Sequence, residues 1–135
     1  MVPLLLVGAD IAMLIARIVL AAVFLTHGWS KARDLRANAV MFREMGFRPG
    51  GLWGTIAGFV EFGGGLLLAA GLLTQPIALL LAVQMSVAAL WRIVKHHSFV
   101  GGWEFDVSLI ALLLAAATIG GGAFSIDAWY GIYLF

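Results

Sequence analysis

The chain contains no cysteine. It can therefore form no disulfide, thiol redox centre, thiolate metal site or iron–sulfur site. Charge is also scarce: 11% of the 135 residues are Asp, Glu, Lys or Arg, where a soluble domain carries roughly a quarter. What fills the chain instead is apolar, at 63% hydrophobic residues and a mean hydropathy of +1.05. Too little polar surface remains to cover a water-soluble globule, so the chain reads as an integral membrane protein of one domain over residues 1–135. No basic tract is dense enough for nucleic acid. The first ten residues, MVPLLLVGAD, lack a positive n-region and a small-residue cleavage site. The first hydrophobic segment is therefore expected to stay as an anchor rather than be removed.

Crossing a bilayer core takes roughly 20 apolar residues in a helix. Four segments meet that length, at about residues 11–29, 52–73, 76–94 and 104–119. Asp10 is placed to cap the first, and Pro76 suits the first turn of the third because its missing N–H is not needed there. No segment alternates apolar and polar residues as a small barrel would require. Between the first two spans, Leu35, Ala39 and Phe42 recur at helical spacing while Arg33, Arg36 and Arg43 take other faces. That pattern predicts a short amphipathic helix near residues 32–45, lying in the headgroup region. The expected fold is an all-α membrane bundle of four helices plus this interfacial helix.

With four crossings, the first and third connections share one side of the membrane. They hold Lys31, Arg33, Arg36, Arg43, Arg48, Arg92 and Lys95, seven of the eight basic residues. The positive-inside rule puts that side in the cytoplasm and both termini outside. The expected location is the cytoplasmic (inner) membrane, as a multi-pass protein.

The eighth cation, Arg17, is inside a span, as are Glu61 and Gln84. Counted from the ends of the expected spans, Arg17 lies ~10 Å and Glu61 ~14 Å deep at 1.5 Å per residue. An isolated charge at that depth costs at least ~2.5–3.5 kcal/mol, so Arg17 and Glu61 are expected to pair, with Gln84 completing the shell. Such a pair can fix helix register, or form the polar floor of a small-molecule or quinone pocket. A second cluster, His27, Lys31, Arg92, His96, His97, Trp103, Glu104 and Asp106, gathers at the basic end. Glu104 and Asp106 fit the helix dipole at the start of the fourth span; the whole cluster also suits a head-group rim, a proton relay or a docking surface. Two adjacent histidines in a loop are weak grounds for haem or metal, and no metal is assigned.

Gly54 and Gly58 form a GxxxG spacing, followed by Gly63, Gly64 and Gly65, which allows close helix approach within the bundle or across a dimer. No phosphate-cradling loop, nucleophile elbow, HExxH or paired-carboxylate motif is present, so no self-contained active site is visible.

Arg17, THGWSK at 26–31, GFRPG at 46–50, GFVEFGGGLLLAAGLLT at 58–74 and AFSIDAW at 123–129 together resemble the DoxX family of small bacterial membrane proteins. The likeness runs in order over nearly the whole chain. It implies a four-helix membrane bundle and matches Arg17, His27, Lys31 and Glu61 to polar positions that recur in the family; WEFDVSL at 103–109 resembles its acidic start to the fourth span. The family is named for a subunit of a thiosulfate:quinone oxidoreductase, and other members are linked to oxidative-stress complexes or act as membrane chaperones. Three functions therefore stand open: a quinone-interacting subunit of a membrane oxidoreductase, a non-catalytic accessory protein that stabilises a partner complex, and a small transporter. Membrane lipid and either a second copy or a membrane-complex partner are the expected associates, and quinone is the one cofactor to consider.

Overall fold

The computed structural model describes residues 4–134, and among these it is helical with no strand. Six helices follow in order: α1 (Leu4–Arg33), α2 (Leu35–Glu44), α3 (Gly50–Ala70), α4 (Thr74–Val94), α5 (Glu104–Ile119) and α6 (Ile126–Tyr130). Four are long and apolar enough to cross a membrane, the fourth counted with the turn Phe99–Trp103 that leads into α5. The exposed side chains fit a hydrocarbon surround. Ile15, Phe59, Val83 and Leu90 are open to the outside, while Arg17 and Asp106 are among the most buried side chains.

Small residues set the helix spacing. α1 and α3 run antiparallel, with Gly28 against the Phe62 backbone, Leu25 against Gly65 and Lys31 against Gly58. Gly64 receives Leu81 of α4. Leu20, Phe24, Leu68, Leu81 and Leu113 then fill the shared core beside Ala78, Ala82, Ala116 and Ala117. The glycines of the GxxxG stretch are thus occupied by neighbours in the same chain: Gly54 by Asn38 and Phe42, Gly58 by Lys31. Gly63 meets nothing within 4 Å.

α2 is amphipathic, but it lies against the protein. Its Asp34 cap accepts from the Ala37 N–H at 3.0 Å, satisfying a first-turn donor. Buried Asn38 donates its amide to the Gly54 carbonyl at 2.7 Å, and the first turns of α3 pass so close that a Cβ at Gly50 would overlap the Ala39 carbonyl. Leu35, expected on the apolar stripe, is exposed. The arginines 33, 36 and 43 point outward as the spacing predicts.

Asp10 does not cap the first span. α1 continues through it, and its carboxylate accepts from the Ala123 N–H at 2.9 Å. The cap function appears elsewhere: Asp127, buried, accepts from the N–H groups of Leu73 and Thr74 at 2.7 and 2.8 Å. A carboxylate thus sits on the positive end of α4, delivered from more than fifty residues along the chain.

Candidate functional site

Three buried or half-buried cations are held at three levels of the bundle, two by carboxylates and one by backbone carbonyls. Lys31 donates to Glu61 at 2.5 Å, and Arg92 donates to Asp106 at 2.7 Å. Arg17 faces Asp127 electrostatically and donates to the carbonyls of Leu68 at 3.0 Å, Ala69 at 3.4 Å and Phe124 at 2.5 Å. The last carbonyls of a helix have no partner within it, and a cation beside them is favoured by the dipole. Arg17 therefore closes the end of α3 and ties it to the segment before α6. Gly71 is needed there twice: it ends α3 at φ 68°, and a Cβ would overlap the guanidinium.

The expected Arg17–Glu61 pair is not formed. The depth count assumed that the first two spans start from common membrane planes. Instead α1, at 30 residues, exceeds α3, at 21, and the first turns of α3 project beyond the end of α1 to be covered by α2. That register brings Arg17 level with the end of α3 and Lys31 within reach of Glu61. Gln84 does complete the shell, donating to the same Glu61 oxygen at 2.6 Å and to the Ala57 carbonyl at 3.4 Å. Glu61 is 3% exposed, and its second oxygen, Oε2, has no hydrogen-bond partner.

Glu61, Lys31 and Gln84 lie on the wall of a cavity of about 600 Å³ between α1, α2, α3, α4 and α5. Its inner part is aliphatic, from Val23, Val60, Leu80, Met85 and Leu109, with Phe24. Toward the basic end it is lined by Met41, Phe42, Met45, Phe47 and Trp53, and by Trp91, Arg92, Phe105 and Asp106. His27 stacks on Phe105 with 6.2 Å between ring centres. The Trp91 indole N–H is buried without a partner. Ligand pockets have this form: a few hundred cubic ångströms, mostly apolar, with few fixed polar groups.

The two expected clusters are thus redistributed. The cavity joins Glu61 and Gln84 to His27, Lys31, Arg92 and Asp106, and leaves Arg17 outside. His96, His97, Trp103 and Glu104 are not on its wall. His97 lies against Trp91 at 5.6 Å and Trp103 against Phe99 at 4.6 Å, while Glu104 accepts from the Gly101 N–H at 2.8 Å to close the turn before α5. Among the described residues no three His, Cys, Asp or Glu side chains converge as a metal site. Asp127 was not anticipated; its only signal in the sequence is an acid after a serine cap, Ser125, which accepts from the Ala128 N–H at 3.2 Å.

Fold and cavity define a polytopic helical membrane protein with a polar-floored pocket inside the bundle. The sequence profile of the DoxX family matches residues 12–96, and the chain belongs to that family. It is 31% identical over 123 residues to "Inner membrane protein YqjF" of Escherichia coli (strain K12), covering 87% of this chain and 91% of that one. It is 27% identical over 118 residues to "Putative oxidoreductase CatD" of Bacillus subtilis (strain 168), covering 87% and 86%. No solved structure matches the chain significantly.

Proposed function

We propose that the chain is the quinone-interacting subunit of a membrane oxidoreductase. The observation that carries this reading is the cavity, whose apolar and aromatic walls surround the Lys31–Glu61–Gln84 cluster. A quinone is a flat ring with polar oxygens and an apolar tail, and it partitions into the bilayer from which such a cavity is filled. Lys31 keeps N–H groups beyond the one given to Glu61, and Trp91 holds an unused N–H; either can donate to a ring oxygen. The aromatic side chains of Phe42, Phe47, Trp53 and Phe105 offer faces for the ring. Bound quinone supplies two-electron chemistry. The chain has no cysteine to hold an iron–sulfur centre, so we assign the electron source to a partner in the membrane complex. The name of the Bacillus subtilis relative agrees with an oxidoreductase role.

Protein purified in nanodiscs with its native lipids tests this directly. Quinone is expected to co-purify, and added decylubiquinone to quench the fluorescence of Trp53 and Trp91. Absence of both effects would remove the quinone reading and leave the accessory role, in which the polar clusters serve only the bundle.

A further inference from the structure

We infer that the cavity selects a ring hydroxyl over a ring carbonyl, and so binds the reduced quinol more tightly than the oxidised quinone, with Glu61 Oε2 as the selecting atom. This rests on the reading of the cavity as a quinone site. The polar floor is lopsided. Glu61 Oε1 receives both Lys31 at 2.5 Å and Gln84 at 2.6 Å, while Oε2 receives nothing. Paired with an ammonium group, Glu61 is a carboxylate and can only accept hydrogen bonds. Gln84 has both amide hydrogens engaged, on Glu61 and on the Ala57 carbonyl, so it has no donor to give Oε2. A buried acceptor without a partner is costly, and a ligand that supplies the missing donor recovers that cost.

A quinone carbonyl cannot supply it. It can accept from Lys31, but it leaves Oε2 unpaired and places a second oxygen lone pair near the carboxylate. A quinol hydroxyl satisfies both sides at once, donating to Oε2 and accepting from Lys31. Oε2 is covered by protein, so a ligand reaches it by turning the carboxylate about its soft terminal sp³–sp² bond, with the flexible Lys31 and Gln84 side chains following Oε1. The same chemistry fits a tailed quinol from the bilayer or a free phenol that enters the cavity from water.

The test compares affinities of wild-type protein in nanodiscs, under argon, for four probes: decylubiquinol, decylubiquinone, and the tail-less durohydroquinone and duroquinone. We expect the reduced member of each pair to bind at least about tenfold more tightly, since a factor of ten corresponds to ~1.4 kcal/mol and supplying one buried hydrogen bond is worth about that much. Glu61→Gln replaces Oε2 with a donor of the same shape and should reverse the order, favouring the oxidised member. Equal binding of both redox forms by wild-type protein would overturn the inference while leaving the quinone site standing. Binding of none of the four would overturn the site itself. The wild-type ratio needs no variant, so a Glu61→Gln protein that fails to fold leaves the test intact. A preference for the tailed pair identifies the bilayer as the source; equal affinity for tail-less probes identifies a free phenol.

Discussion

Glu61 takes Lys31 as its partner and Arg17 takes backbone carbonyls, neither being the partner that its depth suggested. Arg17, Glu61 and Gln84 were legible as polar residues inside spans, because any ionisable group among so many apolar neighbours stands out. Gln84 does lie beside Glu61, as its depth suggested; the cation that pairs with Glu61 was not legible, because it depends on the vertical offset between α1 and α3. The offset predicts which mutations couple. Lys31→Met and Glu61→Ala should be non-additive, since each alone strands the other's charge. The cost of either single change should be about 1–3 kcal/mol, between the exposed and buried limits, because the Lys31 side chain is 21% exposed. Arg17→Ala and Glu61→Ala should instead add to within ~0.5 kcal/mol, as separate sites do; Lys31 and Arg17 are fourteen residues apart on α1, or ~21 Å along its axis. Thermal unfolding in detergent of the two double-mutant cycles distinguishes them, and coupling between Arg17 and Glu61 would contradict the register.

At the scale of elements, helix type and number follow from apolar length, and α5 could be placed from its acidic first turn and its glycine stop. What the sequence does not show is which helix a glycine serves. Gly54 and Gly58 look equally suited to a dimer interface, yet their neighbours are Asn38, Phe42 and Lys31 of the same chain. The C-terminal segment was equally opaque, since a five-residue helix gives no periodicity to read. Two outcomes follow. Gly50→Val should push α2 off α3, because the added side chain would occupy the space of the Ala39 carbonyl. Since α2 contributes Met41 and Phe42 to the cavity wall, and Met45 follows at its end, a maleimide should then label Phe42→Cys faster than it labels the same cysteine beside an intact Gly50. At the other end, Asp127→Ala removes the cap of α4 and should cost ~1–2 kcal/mol. Asp127→Asn should cost less, since its one carbonyl can still accept from Leu73 or Thr74. Melting temperatures in detergent report both, and an Asp127→Ala protein as stable as wild type would show that the cap is dispensable.

For the whole molecule, the decisive asymmetry is charge. Seven of the eight basic residues belong to the end of the bundle formed by the α1–α3 connection and the turn before α5. The cavity runs from Glu61 toward this same end, where Met45, Phe47, Arg92 and Asp106 line it. Translocating so many cations across the membrane is disfavoured, so this end is expected in the cytoplasm, with α6 and its exposed Trp129 and Tyr130 at the opposite interface. Aromatic side chains of that kind settle at the headgroup level, which would hold Arg17 and the Asp127 cap near the outer surface and the cavity in the inner half of the bilayer. The absence of native cysteine makes the orientation directly measurable, because every labelled thiol is an introduced one. Ser98→Cys marks the turn before α5 and Tyr130→Cys marks α6, both at exposed positions. A membrane-impermeant maleimide added to intact cells should label Tyr130→Cys alone, and Ser98→Cys only after the membrane is opened. Labelling of Ser98→Cys in intact cells would invert the protein and place the mouth of the cavity, with any ligand that enters from water, on the outer side.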